Sequence, residues 1–334
     1  MNKRSFGADL LLLLTAAIWG FGFVAQPSVM EYLGPFAFSG IRFILGSASL
    51  LPFICGQNAR RKKYESGPPA AGFSFKAVLI TGLCIFTAVS LQQIGIIFTT
   101  AGNAGFITGL YVVLTPIIGI FLGRKTVPAM WIGAIFTLTG LYFISVTGGS
   151  FSKINPGDVF VAGGAVFWAF HVLIIDRFVQ KEKNDPIILS SGQYAVCGLI
   201  SLAAAFLAEP SIRVWVDSVP PELFEKELPA WLPFASLLRG LVSGDVPLAQ
   251  VSGAVIPIMY GGLASVGIAY TLQVVAQQYT PPAHAAIILC LEGSFAALGG
   301  IIFLDEPLGV RTVVGFTMML AGMLISQLGL GKRR

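Results

Sequence analysis

Ten continuous apolar stretches run along the chain, and they restrict the possible folds more than any other feature. Each stretch has 16 to 26 residues. A helix rises about 1.5 Å per residue, so each stretch can cross a hydrocarbon core of about 30 Å with help from flanking residues. The stretches are apolar throughout rather than alternating, which favours helices over barrel strands. We predict ten transmembrane helices: Leu10–Ala25, Phe36–Cys55, Ala77–Thr99, Ala104–Leu122, Pro128–Val146, Val159–Phe178, Ile187–Leu207, Gly253–Gln278, Ala283–Leu304 and Val310–Leu328.

Composition agrees with an all-α membrane protein. Charged residues make up 11% of the chain and hydrophobic residues 55%, whereas soluble domains carry about 25% charged residues. This excludes a cytosolic globular enzyme and a disordered protein. The basic residues form short clusters between the apolar stretches, so no nucleic-acid partner is expected. The four cysteines lie in or at the end of apolar stretches, without metal-ligand spacing, and we predict no disulfide, metal or cofactor.

The distribution of basic residues predicts the orientation. With the N-terminus in the cytoplasm, cytoplasmic segments hold 15 of the 21 Lys and Arg residues, external segments hold 5, and Arg42 lies within a span. This bias follows the positive-inside rule and predicts that both termini are cytoplasmic. The first apolar stretch continues without a clear cleavage site, so we interpret it as a span rather than a signal peptide. We expect a multi-pass protein of a bacterial inner membrane.

The chain reads as two copies of one unit, which we place at 1–150 and 151–334. Five spans per half is an odd number, so the second half is predicted to be inverted. The spacing between matching residues is 149 early in the unit and 181 later, which implies an insertion of 32 residues, placed at about 208–250. The matches are Asp9 and Trp19 with Asp158 and Trp168, Leu91-Gln92 with Leu272-Gln273, Asn103-Ala104 with His284-Ala285, and Gly119-Ile120 with Gly300-Ile301.

The insertion is predicted to face the outside. It contains Trp215, Trp231 and several leucines beside a group of glutamates. Part of it is interpreted either as an amphipathic helix at the membrane interface or as a solvated loop with a short helix.

Several motifs are spread along the chain: Ala17–Val24, Gly34-Pro35-Phe36, Arg42-Phe43, Tyr270-Thr271-Leu272-Gln273, Ala283–Glu292 and Asp305-Glu306-Pro307-Leu308. In these motifs the chain resembles the drug/metabolite transporter superfamily, and within it the ten-span EamA type. The resemblance implies a central cavity surrounded by the first four spans of each half, with spans five and ten at the periphery, where they often form a homodimer contact. It also implies alternating access of small metabolites, often amino acids and usually outward.

Two charged residues within the spans are the main site candidates, because a charge near the bilayer centre costs about 2.5 to 3.5 kcal/mol. Glu292 lies in the ninth span, where it could bind a proton or a substrate ammonium. Its partner in the repeat is Tyr111, also a candidate. Arg42 in the second span could hold a substrate carboxylate or pair with Glu292. The structural alternative is an ion pair that locks two helices.

Aromatic and polar residues within the spans complete the candidate cavity. Trp19 and Trp168 are equivalent in the repeat and lie in mid-span, unlike most membrane tryptophans. His171 follows Trp168 by three residues and could transfer protons or bond to a neighbouring helix. Gln92, Gln273 and Asn103 are candidate lining residues or interhelical hydrogen-bonding groups. The aspartates near span ends are predicted to be solvated or capping: Asp9, Asp158 and Asp176.

The predicted function is that of a secondary transporter that exports small polar metabolites, such as amino acids, without ATP. The alternative is efflux of lipophilic cations or drugs. Glu292 alone suits a cation, whereas Glu292 with Arg42 suits a zwitterion. A channel and an intramembrane enzyme are disfavoured, because the spans carry neither a nucleophile in a protease-like setting nor an Asp-rich metal motif. No Walker A loop is present, which argues against direct ATP drive.

Overall fold

The structure is a computed structural model that describes residues 3–29, 32–64, 74–99, 101–145, 156–220, 231–246, 252–303 and 309–331. Within these ranges every regular element is helical, which confirms the all-α fold. The first half contains α1 Lys3–Val29, α2 Pro35–Tyr64, α3 Phe75–Phe98, α4 Ala101–Gly109, α5 Tyr111–Phe121 and α6 Pro128–Ser145. The second contains α7 Pro156–Asp176, α8 Pro186–Leu207, α9 Glu209–Ser218, α10 Phe234–Ser243, α11 Val255–Met259, α12 Thr271–Ala276, α13 Pro282–Leu289, α14 Glu292–Phe303 and α15 Val310–Gly331.

Ten helical segments in the described residues are long and apolar enough to cross a membrane, as predicted. Three of them are composite. α4 and α5 form the fourth span, and α13 and α14 form the ninth. In the eighth, a π-helical stretch, Tyr260–Tyr270, joins α11 to α12. A shorter π-helical turn, Arg177–Lys181, ends the sixth span.

The packing of the helices is consistent with two related halves. α2 packs against α8, and α6 packs against α15, so each helix contacts its own repeat equivalent. α3 packs against α7 and α8, as the eighth span packs against α1 and α2. α1 contacts α14, and α7 contacts α4 and α5. Exchanging the halves therefore reproduces the same set of helix pairs, although the inverted repeat and its boundaries stay predictions.

The fourth and ninth spans break at equivalent positions. α5 begins at Tyr111 and α14 begins at Glu292, a spacing of 181 residues in the sequence. The two breaks touch each other, since the Cys290 thiol donates to the Gly109 carbonyl oxygen at 3.7 Å. Half-helices that meet in the middle of a bundle place helix ends, with their partial charges, at the depth where transporters bind substrate.

The aspartates near the span ends differ from the prediction, because all three are buried and bonded between helices. Thr99 donates to Asp158 at 2.9 Å, and Gln327 donates to Asp9 at 2.8 Å. Asp176 forms an ion pair with Arg124. The reason is that neighbouring spans bring donors to these positions, which no local pattern reveals.

The described parts of the insertion pack onto the bundle. In α10, Phe234, Leu237 and Leu241 pack in a cluster with Val29 and Phe36, while the opposite face, with Val242, is exposed. This agrees with an amphipathic helix; the predicted glutamates and Leu223 and Leu228 lie outside the described residues.

The two insertion tryptophans differ, because Trp231 lies in the packed interior whereas Trp215 is 39% exposed. Trp231 is 1% exposed, and Trp215 stacks edge-on against Phe98 at 5.2 Å. The described parts of the insertion therefore form a layer over the ends of the third, sixth and seventh spans.

Glu209 fixes this layer to the second span. Its side chain is fully buried, and it accepts the backbone N–H groups of Phe36 and Ala37 at 3.0 and 2.8 Å. Its other carboxylate oxygen accepts from the Phe234 N–H at 3.0 Å. One carboxylate therefore satisfies donors at the start of both α2 and α10, where helix ends leave N–H groups unpaired.

Candidate functional site

A cavity lies at the centre of the bundle, between the two halves. Its volume is about 610 Å³, which includes some space that is continuous with solvent. Seven of the nine candidate residues line it: Trp19, Arg42, Gln92, Tyr111, Trp168, Gln273 and Glu292. The remaining lining residues are Gln93, Thr108, Val172, Ser265, Tyr270 and Leu289. Residues separated by up to 273 positions in the sequence thus meet around one space.

Glu292 is the first residue of α14, and its carboxyl group borders the cavity. A helix N-terminus carries partial positive charge, which favours a carboxylate there. Within the described residues its side chain has no hydrogen-bond or ion-pair partner. The helix end thus compensates part of the charge and leaves the carboxylate available to a ligand.

Arg42 lies in the second turn of α2 and is 5% exposed. Its guanidinium carbon lies 4.6 Å from the ring centre of Phe38 and 5.3 Å from that of Phe43, within cation–π range. Among the described residues its Nε finds no acceptor, and no ion pair joins Arg42 to Glu292. In this conformation Arg42 and Glu292 therefore do not form the ion pair between helices that was the structural alternative.

An aromatic cluster forms one wall of the cavity, with Tyr270 at its centre. The ring centres of Tyr270 and Trp19 are 4.4 Å apart, and those of Tyr270 and Trp168 are 5.9 Å apart in a stacked arrangement. The Trp19 indole N–H donates to the Ser265 carbonyl oxygen at 3.3 Å. The repeat-equivalent tryptophans thus reach the same tyrosine from opposite halves.

The glutamines both line the cavity and form hydrogen bonds. Gln92 accepts from the Trp168 indole N–H at 3.1 Å and donates to Thr108 at 3.3 Å, which links three spans. Gln273 donates to Gln277 at 3.0 Å. Its carbonyl oxygen has no partner among the described groups. A lining role and interhelical hydrogen bonding are the two alternatives predicted for these residues, and Gln92 has both.

The other two candidates do not line the cavity. His171 is fully buried and bonds through Nε2 to Gln193 at 3.0 Å, although its ring packs edge-on against Trp168 at 5.9 Å. Asn103 is fully buried in the first turn of α4. His171 lies close to Trp168 because the two residues are three positions apart on one helix. Three residues are less than a full turn of 3.6, and this angular offset turns the His171 side chain toward Gln193 in α8.

Sequence reasoning missed Ser265 and Tyr270 as site residues. Both lie in the π-helical stretch of the eighth span. π-helical turns are rare overall, but those that occur are often found at functional sites. The wider turn leaves backbone carbonyl groups unpaired and shifts side chains around the helix axis. One usable signal was present, since Tyr270 precedes Gln273 by three residues and so shares its face.

A smaller cavity continues the central one toward the end of the bundle where α2 and α11 begin. It shares Arg42 and Ser265 with the central cavity, and its other wall includes Phe38 and Tyr260. The Tyr260 hydroxyl donates to the Ile18 carbonyl oxygen at 2.7 Å, which holds the eighth span against the first. This end is the one predicted to face the outside.

Comparison with known proteins agrees with this architecture. The model of the EamA-like transporter family matches residues 6–146 and 155–327. An uncharacterized transporter of Archaeoglobus fulgidus is 27% identical over 326 residues, which covers 97% of this chain and 87% of the relative. The threonine/homoserine exporter RhtA of Escherichia coli is 21% identical over 325 residues, with 97% and 92% covered.

The fold is also found among solved structures. One crystal structure superposes with a TM-score of 0.71 and covers 98% of this chain and 99% of its own. The two sequences are 17% identical, so this likeness concerns the fold alone.

Proposed function

The chain belongs to the EamA-like transporter family and is therefore a membrane transporter rather than an enzyme, and we propose that it exports small zwitterionic metabolites such as amino acids. The substrate would bind in the central cavity, with its ammonium at Glu292 and its carboxylate at Arg42. The relative named as a threonine/homoserine exporter supports this substrate class.

The observation that carries the proposal is the presence of two opposite charges at one cavity without an ion pair between them. Glu292 and Arg42 both border the cavity, and neither has a charged partner among the described residues. A buried charge without a partner is costly, by several kcal/mol. A zwitterion would offset both costs at once, whereas a neutral solute would offset neither.

The broken spans suggest how access could alternate. The fourth and ninth spans each contribute a half-helix on either side of the cavity, and their breaks are in contact. Rocking of one half against the other around a central site would open the cavity to each side in turn. We expect both termini to lie on the cytoplasmic side of the membrane. A homodimer formed through spans five and ten is also part of the proposal.

A second candidate function is efflux of lipophilic cations. The aromatic cluster of Trp19, Trp168 and Tyr270 beside Glu292 would suit an organic cation through cation–π contacts. The guanidinium of Arg42 in the same cavity opposes this reading, because it repels a ligand with positive charge alone.

The test is flux of labelled amino acids and organic cations in proteoliposomes, with a pH gradient imposed or absent. We expect saturable amino-acid flux, and losses of about 10- to 100-fold at low substrate concentration in both Glu292→Gln and Arg42→Gln, since each removes a charged hydrogen bond. The matched controls are Glu182→Gln and Arg177→Gln, which alter an exposed ion pair. Cation flux that persists in Glu292→Gln, without amino-acid flux, would contradict both candidates for this cavity.

A further inference from the structure

The smaller cavity beside Arg42 has the position and the chemistry of a selectivity pocket. Its volume is about 240 Å³, which includes some space that is continuous with solvent, and it meets the central cavity at Arg42 and Ser265. Resting on the proposed function, we propose that this cavity holds the side chain of the transported amino acid and that Gly261 limits the size of that side chain. The substrates are then amino acids with short, uncharged side chains.

The covalent structure of an α-amino acid brings its side chain to the junction of the two cavities. The side chain and the carboxylate are bonded to the same carbon atom, so a carboxylate held by Arg42 places the first side-chain atoms next to the guanidinium. Arg42 borders both cavities, whereas Glu292 borders the central one. An ammonium directed to Glu292 therefore leaves the smaller cavity to the side chain.

The walls of the smaller cavity suit an apolar group. Phe38, Pro257 and the ring of Tyr260 contribute carbon surface. The Tyr260 hydroxyl is already bonded to the Ile18 carbonyl oxygen at 2.7 Å, so it needs no partner in the cavity. Each methylene group buried against such walls strengthens binding by about fourfold. Among the described wall residues Arg42 alone is charged, so a basic side chain would be repelled and would find no counter-charge.

Two glycines keep the cavity open. Gly22 in α1 and Gly261 near the start of the π-helical stretch both border it. A Cβ added at Gly261 would lie 3.5 Å from Arg42 Cδ and 3.5 Å from Phe38 Cζ, which is ordinary contact. A Cβ at Gly22 would lie closer to its neighbour, 3.2 Å from Tyr260 Cε1. A methyl group at Gly261 would therefore occupy space next to Arg42 without forcing the helices apart.

The aromatic walls are held in place, so the size of the cavity is well defined. Phe38 is 1% exposed and packs in a cluster with Val29 and Phe36, with its ring centre 4.6 Å from the guanidinium carbon of Arg42. The hydroxyl of Tyr260 ties its ring to the first span. Close-packed walls of this kind yield little to an added group. The volume is below the range of about 300 to 1,000 Å³ that is usual for pockets holding a whole ligand, which fits a side chain.

The test is the ratio of kcat/KM for valine to kcat/KM for glycine, measured as flux into proteoliposomes that contain the full chain. We expect valine to be preferred by the unmodified protein. Gly261→Ala should lower the ratio by about 10-fold, because one carbon more or less in an apolar pocket changes discrimination by that order. Threonine has nearly the shape of valine and should lose efficiency by a similar factor. A ratio within one preparation also cancels differences in the amount of folded protein.

The matched control is Gly163→Ala. A Cβ there also meets its first neighbour at 3.5 Å, Leu91 Cδ1, and Gly163 borders neither of the two cavities. The ratio should stay unchanged in this variant. Phe38→Leu is the reciprocal change, because a smaller wall residue enlarges the cavity. It should raise the efficiency for leucine relative to that for valine.

The outcomes separate this inference from the proposed function. Amino-acid flux with an unchanged ratio in Gly261→Ala, or with valine and glycine slowed equally, would overturn the inference and leave the export function standing. Absence of amino-acid flux in the unmodified protein would contradict the export function. The rise in melting temperature that valine and glycine produce then reports binding without transport. A valine effect that is absent, or that Gly261→Ala does not reduce, would overturn the inference in that case as well.

Discussion

At the scale of single residues, the Tyr111 hydroxyl separates a binding role from a structural one. It borders the cavity, is buried, and has no hydrogen-bond partner among the described groups. Tyr111→Phe removes a polar atom that the folded protein leaves unsatisfied, so thermal stability should stay equal or rise slightly. If the hydroxyl meets the substrate, KM should rise by about 2- to 10-fold. Flux kinetics and a melting curve on the same preparation check both; a clear fall in melting temperature with unchanged KM would indicate a structural role.

At the scale of helices, the contact between α6 and α15 depends on glycine. A Cβ added at Gly140 would lie 2.5 Å from the Gly315 carbonyl oxygen, so the two backbones would have to separate. We expect Gly140→Ala to destabilise the protein by about 1–3 kcal/mol. Gly105→Ala is the matched control, because a Cβ there meets no atom within 4 Å. Thermal unfolding in detergent is the measurement, and equal melting temperatures for the two variants would contradict the close-packing account.

The helices and the cavity residues could be predicted from the sequence only in part. The ten spans were predictable because hydropathy is a sum over neighbouring residues, which a linear scan captures. Glu292, Arg42 and the two tryptophans were predictable because hydrocarbon penalises them unless they face a cavity. The π-helical stretch and the burial of Asp9 were not, because both depend on which helix lies opposite. Ser265 enters the site through that stretch and so escaped sequence reasoning.

At the scale of the whole molecule, Glu209 makes the attachment of the insertion sensitive to pH. Burial raises the pKa of its carboxyl from 4.5 to about 7, against the opposing effect of three backbone N–H groups. Between these values the folded protein retains a proton that the unfolded chain releases. The free energy of unfolding should therefore fall as the pH rises from about 4.5 to about 7, by at most about 1.4 kcal/mol per unit, and then level off.

The variant that isolates this effect is Glu209→Gln. Its amide oxygen can still accept from Phe36 and Ala37, but its NH₂ group cannot accept from Phe234. We expect a lower melting temperature overall and a flatter dependence on pH between 5 and 7. Glu182→Gln, at an exposed glutamate, should keep the slope of the unmodified protein. A slope in Glu209→Gln as steep as in that control would assign the pH dependence to other groups.

The meeting of Trp19 and Trp168 at Tyr270 also has an optical consequence. The chain has five tryptophans, and these two border the cavity, whereas Trp131, Trp215 and Trp231 do not. Indole emission responds to the polarity and the quenchers around the ring. Replacing the other three by phenylalanine leaves two emitters at the centre of the bundle, so the occupancy of the cavity becomes visible as a change in colour or intensity, without an attached dye.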